Sequence, residues 1–285
     1  MSIVVTGATG LLGRLVIDEL LAKVPADQVV AVVRDKAKAA GIADRGVELR
    51  IADYSKPETL AGVFNAGDVV LLISGSEVGQ RVAQHTAVIS AAKDAGVARL
   101  AYTGVLGGPA ADFALAAEHK VTEQAILDSG LTYTFLRHGW YTENYTAQIP
   151  VQLEHGVVGS TGEGKVGSAT RADFAAADAA VLVGEGHENK AYELSGDRAW
   201  TLTEYAAELS ARSGKEVAYA DVPAEAFKGI LLGAGLPEAF AGILVDVDVS
   251  GIAAGLLEGG SGDLSRLIGR PTTPLADSIA AALKG

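Results

Sequence analysis

The chain has 285 residues, 49% of them hydrophobic and 20% charged, with a formal net charge of −12 and no cysteine. That length accommodates one dinucleotide-sized α/β core and a smaller appended region. The missing thiols exclude disulfides, thiolate zinc sites and cysteine nucleophiles. The acidic balance disfavours nucleic-acid phosphates, and no apolar run approaches the roughly 18 residues of a membrane span.

Ile3-Val4-Val5 opens as a strand with no basic or cleavable apolar segment before it, so a cytoplasmic location is expected. Further along, β-branched runs predict strands over Ile3–Thr6, Val29–Val33, Val47–Ile51, Val69–Ile73, Leu100–Thr103 and Tyr133–Leu136. Between them, helices are predicted over Leu11–Ala22, Pro57–Phe64, Gly79–Ala95 and Asp112–Ser129. The first carries Leu12, Leu15, Val16, Leu20 and Leu21 as one apolar stripe. Gly96 and Gly130 read as helix C-caps leading into strands. The alternation is that of an α/β chain with a Rossmann-type, doubly wound parallel sheet.

Past Trp140 the rhythm changes. Residues 156–167 are glycine-rich turns between short strands, Thr170–Gly184 is an alanine-rich helix and Lys190–Ser195 another strand. Thr201-Leu202-Thr203-Glu204 is a capping box opening a helix through Ala211, and a last helix follows Pro274. The division expected is a cofactor-binding core over 1–150 and a smaller, substrate-side α/β lobe over 151–285 packed on it. The chain is expected to return to the sheet near 160–195.

Gly7-Ala8-Thr9-Gly10-Leu11-Leu12-Gly13 follows the first strand directly and opens the first helix. Dinucleotide binding needs that context: one glycine for the tight turn, one for approach of the pyrophosphate, one for close helix–strand packing. The helix N-terminus then offers free N–H groups and a positive dipole end. At the end of the second strand stands Arg34, with Lys36 and Lys38 behind it. A guanidinium there suits a 2′-phosphate, so NADP(H) is expected ahead of NAD(H). Asp35 would favour NAD(H) if it turned inward. Asp53 and Tyr54 after the third strand could flank the adenine, and Ser74-Gly75-Ser76 lies on the carboxyl edge after the fourth, where open α/β sheets bind ligands. Tyr102 and Thr103 end the fifth strand on that same edge.

Ketone reduction by short-chain dehydrogenases uses a Tyr with a Lys four residues on. None of the eight tyrosines has that lysine. Hydride delivery to a plain ketone makes a basic alkoxide that benefits from a positioned acid. A conjugated acceptor such as a quinone or cationic dye does not need one, and placement beside the nicotinamide suffices. The absence therefore points to electron-poor acceptors, or to no catalysis. After the sixth strand, in the segment Arg137–Tyr145, Trp140, Tyr141 and Tyr145 are expected to offer flat apolar surface to such an acceptor, and His138, beside Gly139, and Asn144 to offer hydrogen bonds. His119 and Lys120, in the preceding helix, either face the site or form a solvated helix face. Neither histidine spacing nor a carboxylate pair suggests a metal, and Ser74-Gly75-Ser76 lacks the hydrolase nucleophile pattern.

The glycine turn, Val32-Val33-Arg34, Ile73–Arg81, Leu136–Asn144, Ser168–Asp173 and Leu267–Leu275 together resemble the NmrA-like branch of atypical short-chain dehydrogenases. The likeness is strongest to its bacterial NADPH:quinone oxidoreductases, with triphenylmethane dye reductases near. The resemblance implies NADPH held by Gly7–Gly13 and Arg34, with contacts from Ser74–Ser76 and the His138–Asn144 loop. It also implies a quinone stacked at the nicotinamide, hydride passing without flavin or metal. Gly75 stands where quinone reductases often have serine, and His138 where asparagine is common, which bears on acceptor preference. The alternatives are a dye or azo reductase, and a redox sensor that binds NADP(H) without turnover. A homo-oligomer is compatible with the sequence.

Overall fold

The computed structural model describes residues 2–284 and contains nine strands: β1 Ile3–Val5, β2 Val29–Val33, β3 Glu48–Ile51, β4 Val69–Leu72, β5 Arg99–Val105, β6 Tyr133–His138, β7 Val157–Gly159, β8 Lys190–Leu194 and β9 Tyr219–Asp221. Seven form one sheet in the order β3-β2-β1-β4-β5-β6-β8. From β3 to β6 the neighbours pair in parallel, with Ile3 in register with Val29 on one side and Val69 on the other. β1 therefore stands between β2 and β4, where the winding direction reverses, and the crevice outside such a switch point is where ligands bind.

Both faces of the central strands are covered, which explains their unbroken Val/Leu runs. On one face Val4, Val30, Val32, Val70, Leu72, Leu100 and Tyr102 form a core with Val88, Ile89 and Ala92 of helix Arg81–Ala95 and Ile126 of helix Ala116–Ser129. Helix Leu11–Leu21 buries Leu12, Val16, Ile17 and Leu20 and packs against helix Arg171–Val183. The expected glycine caps hold: Gly96 and Gly130 are left-handed, at φ +68° and +73°.

Three helix boundaries differ from expectation. Over Pro57–Phe64 only a single 3₁₀ turn forms, Pro57–Leu60. Gly62 at φ +73° stops it, and the Thr59 hydroxyl bonds back to the carbonyls of Asp53 and Lys56. The helix expected from Gly79 starts at Arg81, because Gly79 is held at φ +87°. The helix expected from Asp112 starts at Ala116, preceded by a 3₁₀ turn over Gly108–Ala110.

The chain divides into two compact units. The first takes the chain up to Gly108, then Glu118–His138 and Arg171–Tyr192; the second takes Pro109–Ala117, Gly139–Thr170 and the chain from Glu193 onward. Whereas the sequence reading draws one line at residue 150, both units are thus discontinuous, and residues 171–192 return to the sheet-bearing unit. In the second unit β7 pairs in parallel with β9, and helix Leu202–Ser213 opens with the expected capping box, Thr201 and Glu204 each bonding the other's backbone N–H. Tyr205 of that helix stacks on Trp200, and Tyr145 meets the Trp200 ring edge-on. Among the described residues no helix is long and apolar enough to cross a membrane, and no cluster of His, Asp and Glu is placed to hold a metal ion.

Candidate functional site

The glycine turn leaves β1 at the switch point. Thr6 anchors it: its hydroxyl donates to the Leu71 carbonyl (3.0 Å) and accepts the Ile73 N–H (3.1 Å), clamping the carboxyl ends of β1 and β4 together. Gly7 takes φ +60°, which a side chain rarely adopts. At Gly13 a Cβ would lie 2.4 Å from the Gly7 carbonyl oxygen and 2.8 Å from the Ala8 Cα, so only glycine lets the helix pack this close. Gly10 caps the helix without any side-chain hydrogen bond, and no acidic residue occupies the first turn. The first-turn amides have no partner of their own kind; together with the bare turn they make a cradle for an anionic group.

Beyond β2, Arg34 is exposed and its Nη1 lies 3.3 Å from Glu77 Oε1. Asp35 does not compete for that place, because its carboxylate accepts the Ala37 N–H (2.9 Å) and closes its own turn. Arg14, one turn into the first helix, donates from Nε to the Thr9 carbonyl and from Nη2 to the Lys38 carbonyl. It thereby ties the glycine turn to the basic 34–38 segment. Asp53 likewise spends its carboxylate on the Ser55 N–H (3.0 Å). The Tyr54 hydroxyl is buried against the Thr6 side chain and the Gly7 backbone, yet among the described residues it makes no hydrogen bond of normal geometry. A buried hydroxyl left without a partner costs free energy, and one lying against a bare glycine turn is suited to a ligand that supplies the partner. These features fit a dinucleotide.

After β4, Ser74 donates its N–H to Thr103 Oγ1 (2.9 Å), and Gly75 donates its N–H to His85 Nε2 (3.0 Å) and accepts from Arg81 Nε (2.6 Å). Since Nε2 accepts, His85 carries its proton on Nδ1, donating to Thr122 Oγ1 (2.9 Å), which donates onward to the Glu118 carbonyl (2.8 Å). Burial and the nearby Arg81 charge push His85 down to about 4, so the ring is neutral at physiological pH. Its edge meets the Tyr102 ring at 5.6 Å between centroids. Tyr102 is fully buried, and its hydroxyl lies 2.7 Å from His119 Nδ1. Ser76 is exposed on the loop between, and Gly79 donates its N–H to both Glu118 carboxylate oxygens (3.1 Å).

At the end of β6 the His138 ring turns to helix Arg171–Val183. Nε2 lies 2.9 Å from Asp178 Oδ1 and the ring stacks on Phe174 at 4.5 Å. Gly139 follows at once in the chain. In the second unit its N–H donates to the Leu194 carbonyl (2.7 Å), and a Cβ there would approach that oxygen to 3.1 Å. Trp140, Tyr141 and Asn144 are all partly exposed, held by backbone bonds of Trp140 and Thr142 to Ala169 and of Asn144 to Tyr141. Tyr145, in contrast, is committed to packing against Trp200 and Tyr205.

The structure thus gathers Gly7, Thr9, Gly10, Leu11, Leu12, Gly13, Arg34, Asp53, Tyr54, Ser74, Gly75, Ser76, Tyr102, Thr103 and His138 in the unit that carries the sheet, and Gly139, Trp140, Tyr141 and Asn144 in the other. Sequence reasoning passes over Thr6, Arg14, Arg81 and His85. Arg14 sits four residues after Gly10, a spacing that places it on the exposed first turn; nothing in the sequence marks His85 as the partner of Gly75.

Residues 7–184 match the NAD(P)H-binding family. Quinone oxidoreductase 2 of Escherichia coli is 50% identical over 278 residues, 97% of this chain and 97% of that protein. Its crystal structure, described as NADPH-dependent and complexed with NADPH, superposes with a TM-score of 0.96 over 99% of each chain. Triphenylmethane reductase of Citrobacter, complexed with NADP(H), is 43% identical with a TM-score of 0.94, covering 99% of this chain and 100% of that one. A cradle that fits a dinucleotide, on a sheet with these relatives, places the chain in the NAD(P)H-binding family.

Proposed function

We propose that the protein is an NADPH-dependent quinone oxidoreductase that passes hydride directly to the quinone, without flavin or metal. The observation that carries this reading is the whole-length likeness to the Escherichia coli quinone oxidoreductase, with the glycine cradle intact. The bound cofactor supplies the hydride and its electron pair; the chain supplies position. The first-turn amides of helix Leu11–Leu21 receive the pyrophosphate, Tyr54 completes its hydrogen bonding there, and Arg34 takes the 2′-phosphate as a forked donor. Asp53 borders the adenine half, and Ser74, Gly75, Ser76, Tyr102 and Thr103 border the nicotinamide half. His138, fixed by Asp178, and Gly139 shape the turn into Trp140, Tyr141 and Asn144, which orient the flat acceptor. A cysteine-free chain of this kind suits a reducing, cytoplasmic setting.

The 43% identity to the triphenylmethane reductase makes dye reduction the second reading. An acceptor panel separates the two: purified protein with NADPH is offered benzoquinones, naphthoquinones, a triphenylmethane dye and an azo dye. The quinone reading predicts kcat/KM highest for a quinone. Turnover of the dyes alone would shift the assignment to the dye reductases, and tight NADPH binding with no turnover would make the protein a redox sensor.

A further inference from the structure

The chain lacks the Tyr–Lys acid pair, yet the sheet's carboxyl edge holds a buried tyrosine bonded to a histidine at 2.7 Å. The two residues come from successive elements, Tyr102 from β5 and His119 from helix Ala116–Ser129. β4, β5 and β6 form the half of the sheet on the far side of the switch point from β2 and β3. In a doubly wound dinucleotide fold that half carries the nicotinamide end.

The hydrogen-bond arithmetic fixes the tautomer. His119 Nδ1 is the short hydrogen-bond contact of the Tyr102 hydroxyl, at 2.7 Å, with the Thr122 and Ser74 side chains also interacting with it, and Tyr102 itself has no exposed surface. If Nδ1 carried the proton, the tyrosine O–H would have to turn to the more distant Thr122 or Ser74 hydroxyl, a weaker hydrogen bond than one along the 2.7 Å contact. The O–H therefore donates to Nδ1, and the ring proton sits on Nε2. Nε2 is not among the buried nitrogens that lack a partner, and His119 is partly exposed, so this N–H is open to a ligand.

We propose that His119 acts as a catalytic hydrogen-bond donor. Its Nε2–H binds the quinone oxygen that becomes the hydroquinone oxyanion, and Tyr102 is the positioning residue that keeps the proton on Nε2. This rests on the quinone-reductase reading. When bound, NADPH would supply the quinone with hydride and its electron pair, the C–H bond giving way as the new bond forms. The negative charge collects on an oxygen of the ring, and one proton from water completes the hydroquinone. His119 keeps its own proton throughout. Burial, with the Arg81 charge next, pushes the imidazole down to about 3, so it donates as a neutral ring. A neutral, preorganised donor aimed at developing charge lowers the barrier without a proton transfer.

The test combines kinetics with the state of the ring. His119→Ala is expected to lower kcat with a quinone about 10- to 100-fold, leaving the NADPH KM within about twofold. The loss should shrink for quinones whose electron-withdrawing substituents already stabilise the oxyanion. His119→Gln, which keeps an N–H donor, should recover part of the rate. In the intact protein, ¹⁵N spectra of labelled histidine should show Nδ1 unprotonated and Nε2 protonated for His119, and Tyr102→Phe should erase that preference while lowering kcat several-fold. A wild-type spectrum with the proton on Nδ1, or an alanine variant that turns over every quinone at the wild-type rate, overturns the proposal alone. Wild-type protein that reduces no quinone overturns the underlying reading, and the proposal with it.

Discussion

Gly13 and Arg34 mark, as single residues, the two ends of the proposed cofactor cradle. The Gly13 Cα faces the Gly7 carbonyl so closely that a methyl group would stand 2.4 Å from that oxygen. Gly13→Ala must therefore push the first helix off the sheet. The expected outcome is a destabilisation of about 1–3 kcal/mol in chemical unfolding, with weaker NADPH binding by fluorescence; a variant with wild-type values in both would remove the close-packing argument. Arg34 lies in the open, paired with an exposed carboxylate, a pairing worth little in itself. Arg34→Ala should raise the KM for NADPH about tenfold or more and spare NADH. Equal effects on both cofactors would dismiss the 2′-phosphate role. Asp248 supplies a prediction of a different kind. Burial raises its carboxyl to about 6, Asp221 adds to the rise, and the Ser160 N–H opposes it. The folded state then holds this proton after the unfolded chain has released it, so stability falls as pH climbs from about 4 to 6 and stays lower above. Asp248→Asn keeps an acceptor for Ser160. It should gain about 1–3 kcal/mol near pH 7.5 and almost nothing at pH 4, as read by thermal unfolding; an equal gain at both values would mean that ionisation is not the cause.

The elements differ in how far their sequence declared them. β2 is legible to the residue because Val29–Val33 is an uninterrupted β-branched and alanine run, the pattern of a strand buried on both faces. The capping box at Thr201 is legible because both hydrogen bonds are local and written in four residues. Thr201→Ala should cost about 1 kcal/mol in chemical unfolding, and no measurable loss would show that helix Leu202–Ser213 is held by packing alone. Helix Arg81–Ala95 is the opposite case. It buries Gln84 and His85, side chains that a hydropathy pattern assigns to solvent. Their partners lie in other segments: Ser55 and Glu77 for Gln84, Gly75 and Thr122 for His85. Such partners are known only after the chain has folded. The same holds for Pro57–Phe64, whose composition suits a helix until Gly62 turns left-handed.

Across the whole chain, the glycine turn is legible because it depends on contiguous residues at one strand–helix junction. The proposed acceptor segment, Trp140–Asn144, is legible only as a segment, since its aromatic character is local while its anchoring to Ala169 is not. The unit boundaries escaped a linear reading because the chain leaves the sheet-bearing unit twice and returns, the last time through residues 171–192. The absence of an acid dyad, joined to this fold, is what narrows the chemistry to acceptors that need placement more than protonation. The most direct test of that account is NADPH oxidation by purified protein stripped of any flavin, with a small quinone as acceptor, using cofactor deuterated at the transferred position. Direct hydride transfer predicts steady turnover without added flavin and a slower rate with the deuterated cofactor. Turnover that appears only when flavin is restored would contradict direct hydride transfer.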